Sequence, residues 1–196
     1  RKSDGKNLIK NGGFESGSKG WGNHQHNGKE DDVNFAVESS SWKYIRSGEK
    51  SAEISSKSKE VRAKYVQKVK VKAGKTYTFE GWFRTNDEYQ GKLENKTQVR
   101  MCGEWADNPR PSIETQKNGW VKRSLTWTAK TDHTINLELF LWFTPGKIWF
   151  DDIAIIRKSD EKNLVQNGSF ENGLKGWNSH QHNGKEKQVE YSVESF

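Results

Sequence analysis

Forty residues of this chain occur twice. Residues 1–40 align with residues 157–196 without a gap, so the period is 157 − 1 = 156 residues. "NLIKNGGFESGSKGW" at 7–21 returns as "NLVQNGSFENGLKGW" at 163–177, and "GWGNHQHNGKE" at 20–30 returns as "GWNSHQHNGKE" at 176–186. Solenoid and propeller units repeat every ~20–50 residues, so a period this long is that of a whole domain. The chain therefore reads as one complete module, 1–156, followed at 157–196 by the truncated N-terminal part of a second, homologous one. A segment of that size falls near the ~40 residues below which a chain seldom buries enough surface to fold unaided. The chain reads as a piece excised from something longer.

Inside the first copy the periodicity is that of strands. "YVQKVKV" (65–71), "TYTFEGWF" (76–83), "TQVRMCGEW" (97–105), "VKRSLTWT" (121–128), "TINLELFLWF" (134–143) and "IWFDDIAII" (148–156) alternate or run in β-branched and aromatic residues. No long amphipathic helix interrupts them. Many short strands without βαβ alternation predict an all-β, antiparallel sandwich, with a jelly roll as its form. Hydrophobic residues are only 31% of the chain, but nine Trp, nine Phe and five Tyr supply enough apolar area for a core.

The remaining composition excludes more than it assigns. A single cysteine, Cys102, rules out an intramolecular disulfide framework and a cysteine-rich zinc site. No run approaches the ~18 apolar residues of a membrane span, and the first residues, RKSDGKN, lack a signal peptide's apolar stretch. The net charge of +7 and pI of about 9.3 raise nucleic acid and anionic glycans as partners. Lysine interleaved with glutamate, and no helix-turn-helix, RNP-type or zinc-finger pattern, argue against nucleic acid. The expected setting is secreted or cell-surface, and bacterial.

Pleat alternation assigns faces. In 134–143 it buries Ile135, Leu137, Leu139, Leu141 and Phe143 and turns out Glu138, Phe140 and Trp142. In 76–84 it turns out Glu80, Trp82 and Arg84; in 97–105 it turns out Gln98, Arg100 and Glu104. If these strands share a sheet, its outer face carries Trp82, Phe140 and Trp142 among Arg84, Gln98, Arg100, Glu104 and Glu138. Rings among planar polar groups suit a sugar, whose C–H faces stack while its hydroxyls need donors and acceptors. The competing reading has these aromatics packed under loops.

The opening "NLIKNGGFESGSKGW", the middle "SGEKSAEI", the strand "GKTYTFEGWFRT" and the closing "IWFDDIAI" resemble the carbohydrate-binding modules of families 4, 9, 16 and 22. That resemblance implies a non-catalytic β-jelly roll appended to a polysaccharide-degrading enzyme, with a glycan cleft on the concave sheet, tandem copies, and a structural calcium away from the cleft. Carried over by position, it implies Gly13, Glu15 and Asp151 as calcium ligands, with Asp152 as the alternative to Asp151 and Glu49 or Lys50 adding an oxygen. The competing reading makes Glu15 and Asp151 surface charges; alternation instead sets Asp151 beside Ile153 and Ile155, facing inward. The resemblance also implies a sugar-stacking role for Trp21. His24 and His26, repeated as His180 and His182, point the same way on a strand and suit a transition metal, a sugar contact or an edge-loop role.

Enzymatic alternatives are weaker. Glu80, Glu104 and Glu138 could share one face, but the sequence lacks the E-x-D-x-x-E strand expected of jelly-roll glucanases, and Arg84 and Arg100 would hold those carboxylates ionised. No Ser-His-Asp, phosphate-loop or HExxH pattern is present either. The expected function is therefore a module that binds polysaccharide, a β-glucan or related plant or cell-wall glycan, and targets an attached polysaccharidase. An acidic glycan such as alginate or pectin, and a cell-surface adhesin, are the alternatives, with a glycoside hydrolase behind them. The 158–196 tail is expected to pack on its own module or to mediate self-association, because it duplicates the N-terminal segment.

Overall fold

Residues 22–89, 99–102, 119–157, 162–173, 175–179 and 189–191 are described in the computed structural model of the chain. Their alternating sequences form strands because β-branched and aromatic side chains pack well on a pleated surface with one face buried. In chain order these are β1 (Gly22–His26), β2 (Val33–Glu38), β3 (Ser51–Ser56), β4 (Arg62–Val71), β5 (Thr76–Thr85) and β6 (Val99–Cys102). They continue as β7 (Val121–Thr128), β8 (His133–Trp142), β9 (Gly146–Arg157), β10 (Lys162–Asn163), β11 (Asn178–Ser179) and β12 (Val189–Tyr191). The first sheet runs β1-β4-β8-β6, with β11 also on β4; the second runs β12-β2-β3-β9-β5-β7, with β10 on β9. All pairs are antiparallel except β12 with β2. The fold is a jelly-roll β-sandwich, as the strand pattern predicts.

The core lies between the sheets. Ala63, Tyr65, Val69, Ile135, Leu137, Leu139 and Leu141 face it from the first sheet, and Phe35, Ile54, Phe79, Phe83, Phe150, Ile153 and Ile155 from the second. Tyr65 spans the gap. Its ring packs edge-on against Phe35 at 5.2 Å and Phe150 at 6.5 Å. Its hydroxyl lies 3.0 Å from the Glu53 carbonyl and 3.2 Å from the Ala36 carbonyl, so a group rooted in β4 shares its proton with β2 and β3. Burial pushes the Tyr65 phenol well above its usual pKa, and the hydroxyl stays a donor.

Three face assignments from alternation are corrected. β5 belongs to the second sheet and β6 and β8 to the first, so Trp82 and Arg84 are separated from Phe140 and Trp142 by the thickness of the core. Strand pattern fixes which side of a strand is wet, not which sheet it joins. Phe143 is not core: β8 ends at Trp142, Phe143 takes a positive φ of 47°, and its ring sits against Trp142 outside the sandwich. Asp151 does not share a face with Ile153. Asp152 has φ 50° and the register shifts between Glu80 and Trp82, a bulge that puts one extra residue between Phe150 and Ile153. Asp151 consequently pairs with Trp82 on the outer side.

The 162–179 segment is built into this sandwich. β10 pairs with the end of β9, β11 pairs with β4, and Val165, Phe170 and Trp177 are all fully buried in the core.

The Tyr65 bridge yields a graded expectation. Tyr65→Phe should lower stability by ~1 kcal/mol, the net value of one hydrogen bond, and Tyr65→Ala by ~3–5 kcal/mol, as for other buried aromatics. Denaturant melts of the two variants check this; equal losses would assign the whole effect to the hydroxyl, and an unchanged melt for Tyr65→Phe would assign it to the ring.

Candidate functional site

Two outer faces carry aromatic and charged side chains together. On the first sheet, antiparallel register sets His24 opposite Lys64, His26 opposite Arg62, and Lys64 and Arg62 opposite Phe140 and Trp142. Opposed residues share a face, so these side chains form one layer across β1, β4 and β8. Phe140 and Trp142 meet edge to face at 5.0 Å. The Arg62 guanidinium lies 5.0 Å from the Trp142 ring and 5.4 Å from the Phe143 ring, with its terminal nitrogen 3.3 Å from His26 Nδ1. Lys64 Nζ donates to Glu138 Oε1 at 2.5 Å and sits 5.6 Å from the Phe140 ring. β6 brings Arg100 opposite Glu138. Trp142 and Arg62 are half-buried, whereas Phe140, Lys64 and Glu138 are buried.

On the second sheet, the 39–50 segment straps across the outside. A 3-10 turn at Trp42–Tyr44 lays Tyr44 flat on Trp149, ring centroids 4.2 Å apart and 11° from parallel. Arg84 approaches the Tyr44 ring at 5.3 Å, and Arg46 covers Trp82 at 4.2 Å. Trp82 is therefore a partner of the strap rather than a bare platform. Glu80 pairs with Lys122 at 2.9 Å rather than with Arg84. Beneath the strap, burial raises the Glu53 carboxyl pKa, against the pull of the Lys147 ammonium 2.8 Å away. Trp42, at the crest of the turn, is 88% exposed and is invisible to alternation, which has nothing to say about a ring in a loop. A cleft elsewhere, lined by Asp31, Asp32, Asn34, Lys57, Glu88 and Lys147 among others, has no aromatic ring among the described residues that line it.

The strap ends at a carboxylate cluster. Asp151, fully buried, accepts the Arg46 and Ser47 backbone N–H groups on Oδ2 at 2.8 and 3.0 Å, and that of Asp152 on Oδ1 at 2.7 Å. Ser47 Oγ donates to Asp152 Oδ1 at 2.6 Å. Desolvation, and next the Asp152 charge, push the Asp151 pKa well above the carboxylate range despite those three N–H groups. Glu171 Oε2 accepts the Glu49 N–H at 3.1 Å, and a Cβ on Gly48 (φ 67°) would collide with the Glu171 carboxylate. Glu171 stands 156 residues after Glu15, so the second copy's glutamate occupies the turn that the resemblance implied for the first. Lys50 is buried and Glu49 exposed. Among the described residues no group of three or more His, Cys, Asp or Glu is placed to hold a metal ion. His24 and His26, with ring centroids 5.4 Å apart, thus lack a third such ligand there, and the Arg62 cation beside His26 further disfavours a metal. The side-chain acceptors described at the turn, on Asp151, Asp152 and Glu171, are all oxygen, the donor type that calcium takes, and backbone N–H groups of Arg46, Ser47, Glu49 and Asp152 are turned onto them.

Trp21, Gln98, Glu104, Gly13 and Glu15 lie outside the described residues, as does the Arg100 side chain.

The chain matches curated tRNA nucleases named WapA, from Bacillus subtilis subsp. natto and Bacillus subtilis strain 168, at 27% identity in each case. The match covers 88% of this chain but 8% of each relative, so the chain spans a small fraction of their length. Among solved structures, the enzymatically active domain of bacteriophage CBA120 tailspike protein 4 superposes with a TM-score of 0.59 at 15% identity, over 77% of this chain and 21% of that one. TmCBM61 in complex with beta-1,4-galactotriose gives 0.51 at 16%, over 78% of this chain and 99% of that one. A family 16 carbohydrate binding module gives 0.50 at 18%, over 76% and 99%. These likenesses establish the fold. The carbohydrate binding domain model CBM_4_9 matches residues 6–147, spanning strands of both sheets, and the chain belongs to that family.

Proposed function

We propose that the outer face of the β1-β4-β8-β6 sheet binds a polysaccharide chain and that the module thereby holds an attached catalytic domain at its substrate. The observation that carries this reading is the Phe140–Trp142 pair flanked by Arg62 and by the Lys64–Glu138 ion pair. A half-exposed indole supplies a stacking surface, and Arg62 supplies planar donors at its edge. Both partners of the ion pair are about 95% buried, so it ties β4 to β8 beside the rings and is not itself presented to a ligand. The function is a non-catalytic one: Glu138 is held by an ammonium at 2.5 Å, which suits an ionised acceptor and not a general acid.

The cations divide the ligand question. Lys64 is neutralised by Glu138 and Arg62 is engaged with rings, which favours a neutral glucan, xylan or galactan over a uronic polymer. Binding to the neutral glycan should change little between low and high salt, whereas alginate or pectin binding would weaken steeply. Trp142→Ala should cost ~1–3 kcal/mol of affinity, as for other aromatic anchors, with the protein still folded and its melt lowered less than by Tyr65→Ala, since the ring is half-buried outside the core. Trp42→Ala should leave affinity unchanged; loss there with retention in Trp142→Ala would move the site to the strap. Titration calorimetry of both variants on a glucan, xylan and galactan panel reads the outcome.

Calcium is proposed at the 46–49 turn, held by Asp151, Glu171 and turn carbonyls, where it would tie the strap to β9 and offset the buried Asp151 charge. Chelation should lower the melting temperature and leave glycan affinity unchanged, because the turn lies on the second sheet and the proposed face on the first. An unchanged melt in EDTA with no metal by elemental analysis would remove the site.

A further inference from the structure

The family match ends at residue 147, yet the segment Asn163–Trp177 completes the core. Asn163 Oδ1 accepts the Ile155 N–H at 2.7 Å and the Val165 N–H at 2.9 Å, fixing the segment to β9. Gln67, on β4, takes both the N–H and the carbonyl of Gln166 with its side-chain amide. Phe170 and Trp177 pack 5.6 Å apart, Phe170 lies 6.3 Å from Tyr65, and the indole N–H reaches the Asn167 carbonyl at 3.3 Å. Glu171 closes on the 46–49 turn. The side chains that make these contacts recur 156 residues earlier as Asn7, Asn11, Phe14, Glu15 and Trp21, with Ile9 in place of Val165. The contacts of Gln166, which stands where the first copy has Lys10, are made by its backbone and transfer with any residue.

Gly22 and Asn23 of β1 pair with Val66 and Tyr65, and Asn178 and Ser179 of β11 pair with the same two residues. The offset is 178 − 22 = 156, the repeat period itself. β4 has β8 on one edge, and a strand edge offers a single row of N–H and C=O groups. The two copies therefore address one ladder.

We propose that the groove between β4 and β9 is an exchangeable socket, filled by the Asn163–Trp177 segment or by its equivalent at 7–21, and that one copy of this chain accepts the segment of another. A segment displaced within its own chain keeps every anchor needed to seat in a neighbour, the condition for strand exchange between copies. Within one chain the linkage gives either segment a high effective concentration, so passage to a second molecule grows with protein concentration.

Cysteine trapping in the full chain, in a Cys102→Ser background, tests this. Gln67→Cys combined with Gln166→Cys should be joined by a short bis-maleimide linker, whose reach replaces that of the Gln67 amide, and so should Gln67→Cys combined with Lys10→Cys. Mixing differently tagged Gln67→Cys and Gln166→Cys single variants should give a covalent heterodimer whose yield rises with concentration, and Gln67→Cys mixed with Ser124→Cys, on the outer face of β7, should give far less. Absence of the 67–166 cross-link would deny the tail the groove; absence of the 67–10 cross-link would make the tail its permanent occupant; a heterodimer no more abundant than the Ser124 control would deny exchange between molecules. Any of the three overturns the proposal. Should cysteine at 67 prevent folding, a labelled peptide of residues 162–179 added to the unmodified chain reads the same property. Saturable binding, weakened about tenfold or more by Trp177→Ala in the peptide, supports the socket; no binding after a melt-and-refold cycle overturns it.

Discussion

Tyr65 sets the spacing on which both outer faces depend. Rooted in β4 of the first sheet, it reaches carbonyls of β2 and β3 in the second and contacts Phe35, Phe150 and Phe170 on the way. Stacked sheets pack about 10 Å apart because interdigitating side chains fill that depth. A ring of this length with its polar end satisfied on the far side fixes the depth at one point, and alternation along each strand then decides which residues are turned outward. The contact of Tyr65 with Phe170 also makes the tail segment part of the same core rather than an appendage to it.

The bulge at Asp152 is the second decisive device. Without the extra residue Asp151 would point into an apolar core at a prohibitive desolvation cost. With it, the carboxylate turns to the outer side and becomes the anchor for the Arg46–Ser47 backbone, so that the strap lies down over Trp149 and Trp82. The same turn receives Glu171. Two carboxylates from distant parts of the chain thus accept backbone N–H groups of one loop.

The two outer faces treat their aromatics differently. On the second sheet Tyr44 caps Trp149 and Arg46 caps Trp82, so the rings are spent on fastening the strap. On the first sheet Trp142 has a guanidinium near one side and remains half-exposed, with polar groups arrayed along β4 and β8. The distinction separates aromatics that stabilise the protein from those able to meet a ligand.

The sequence by itself determined that this chain is an all-β sandwich, that Leu137, Leu139, Phe79 and Ile155 are interior, and that Glu138, Phe140 and Trp142 share an outward face. Those properties follow from local pleat geometry, which every strand obeys alone. It also determined that a second copy of the opening segment exists. Only the tertiary structure decided that Trp82 and Trp142 lie on opposite sides of the molecule, since pairing between strands far apart in sequence leaves no periodic trace. Only it decided that Asp151 faces out, because a bulge needs its partner strand to be seen. The exposed Trp42 is not legible in the sequence, because alternation says nothing about a ring in a turn. The destination of the repeated segment is equally hidden: its anchors are written twice, but that Glu171 meets the turn at Gly48 follows from packing between distant parts of the chain.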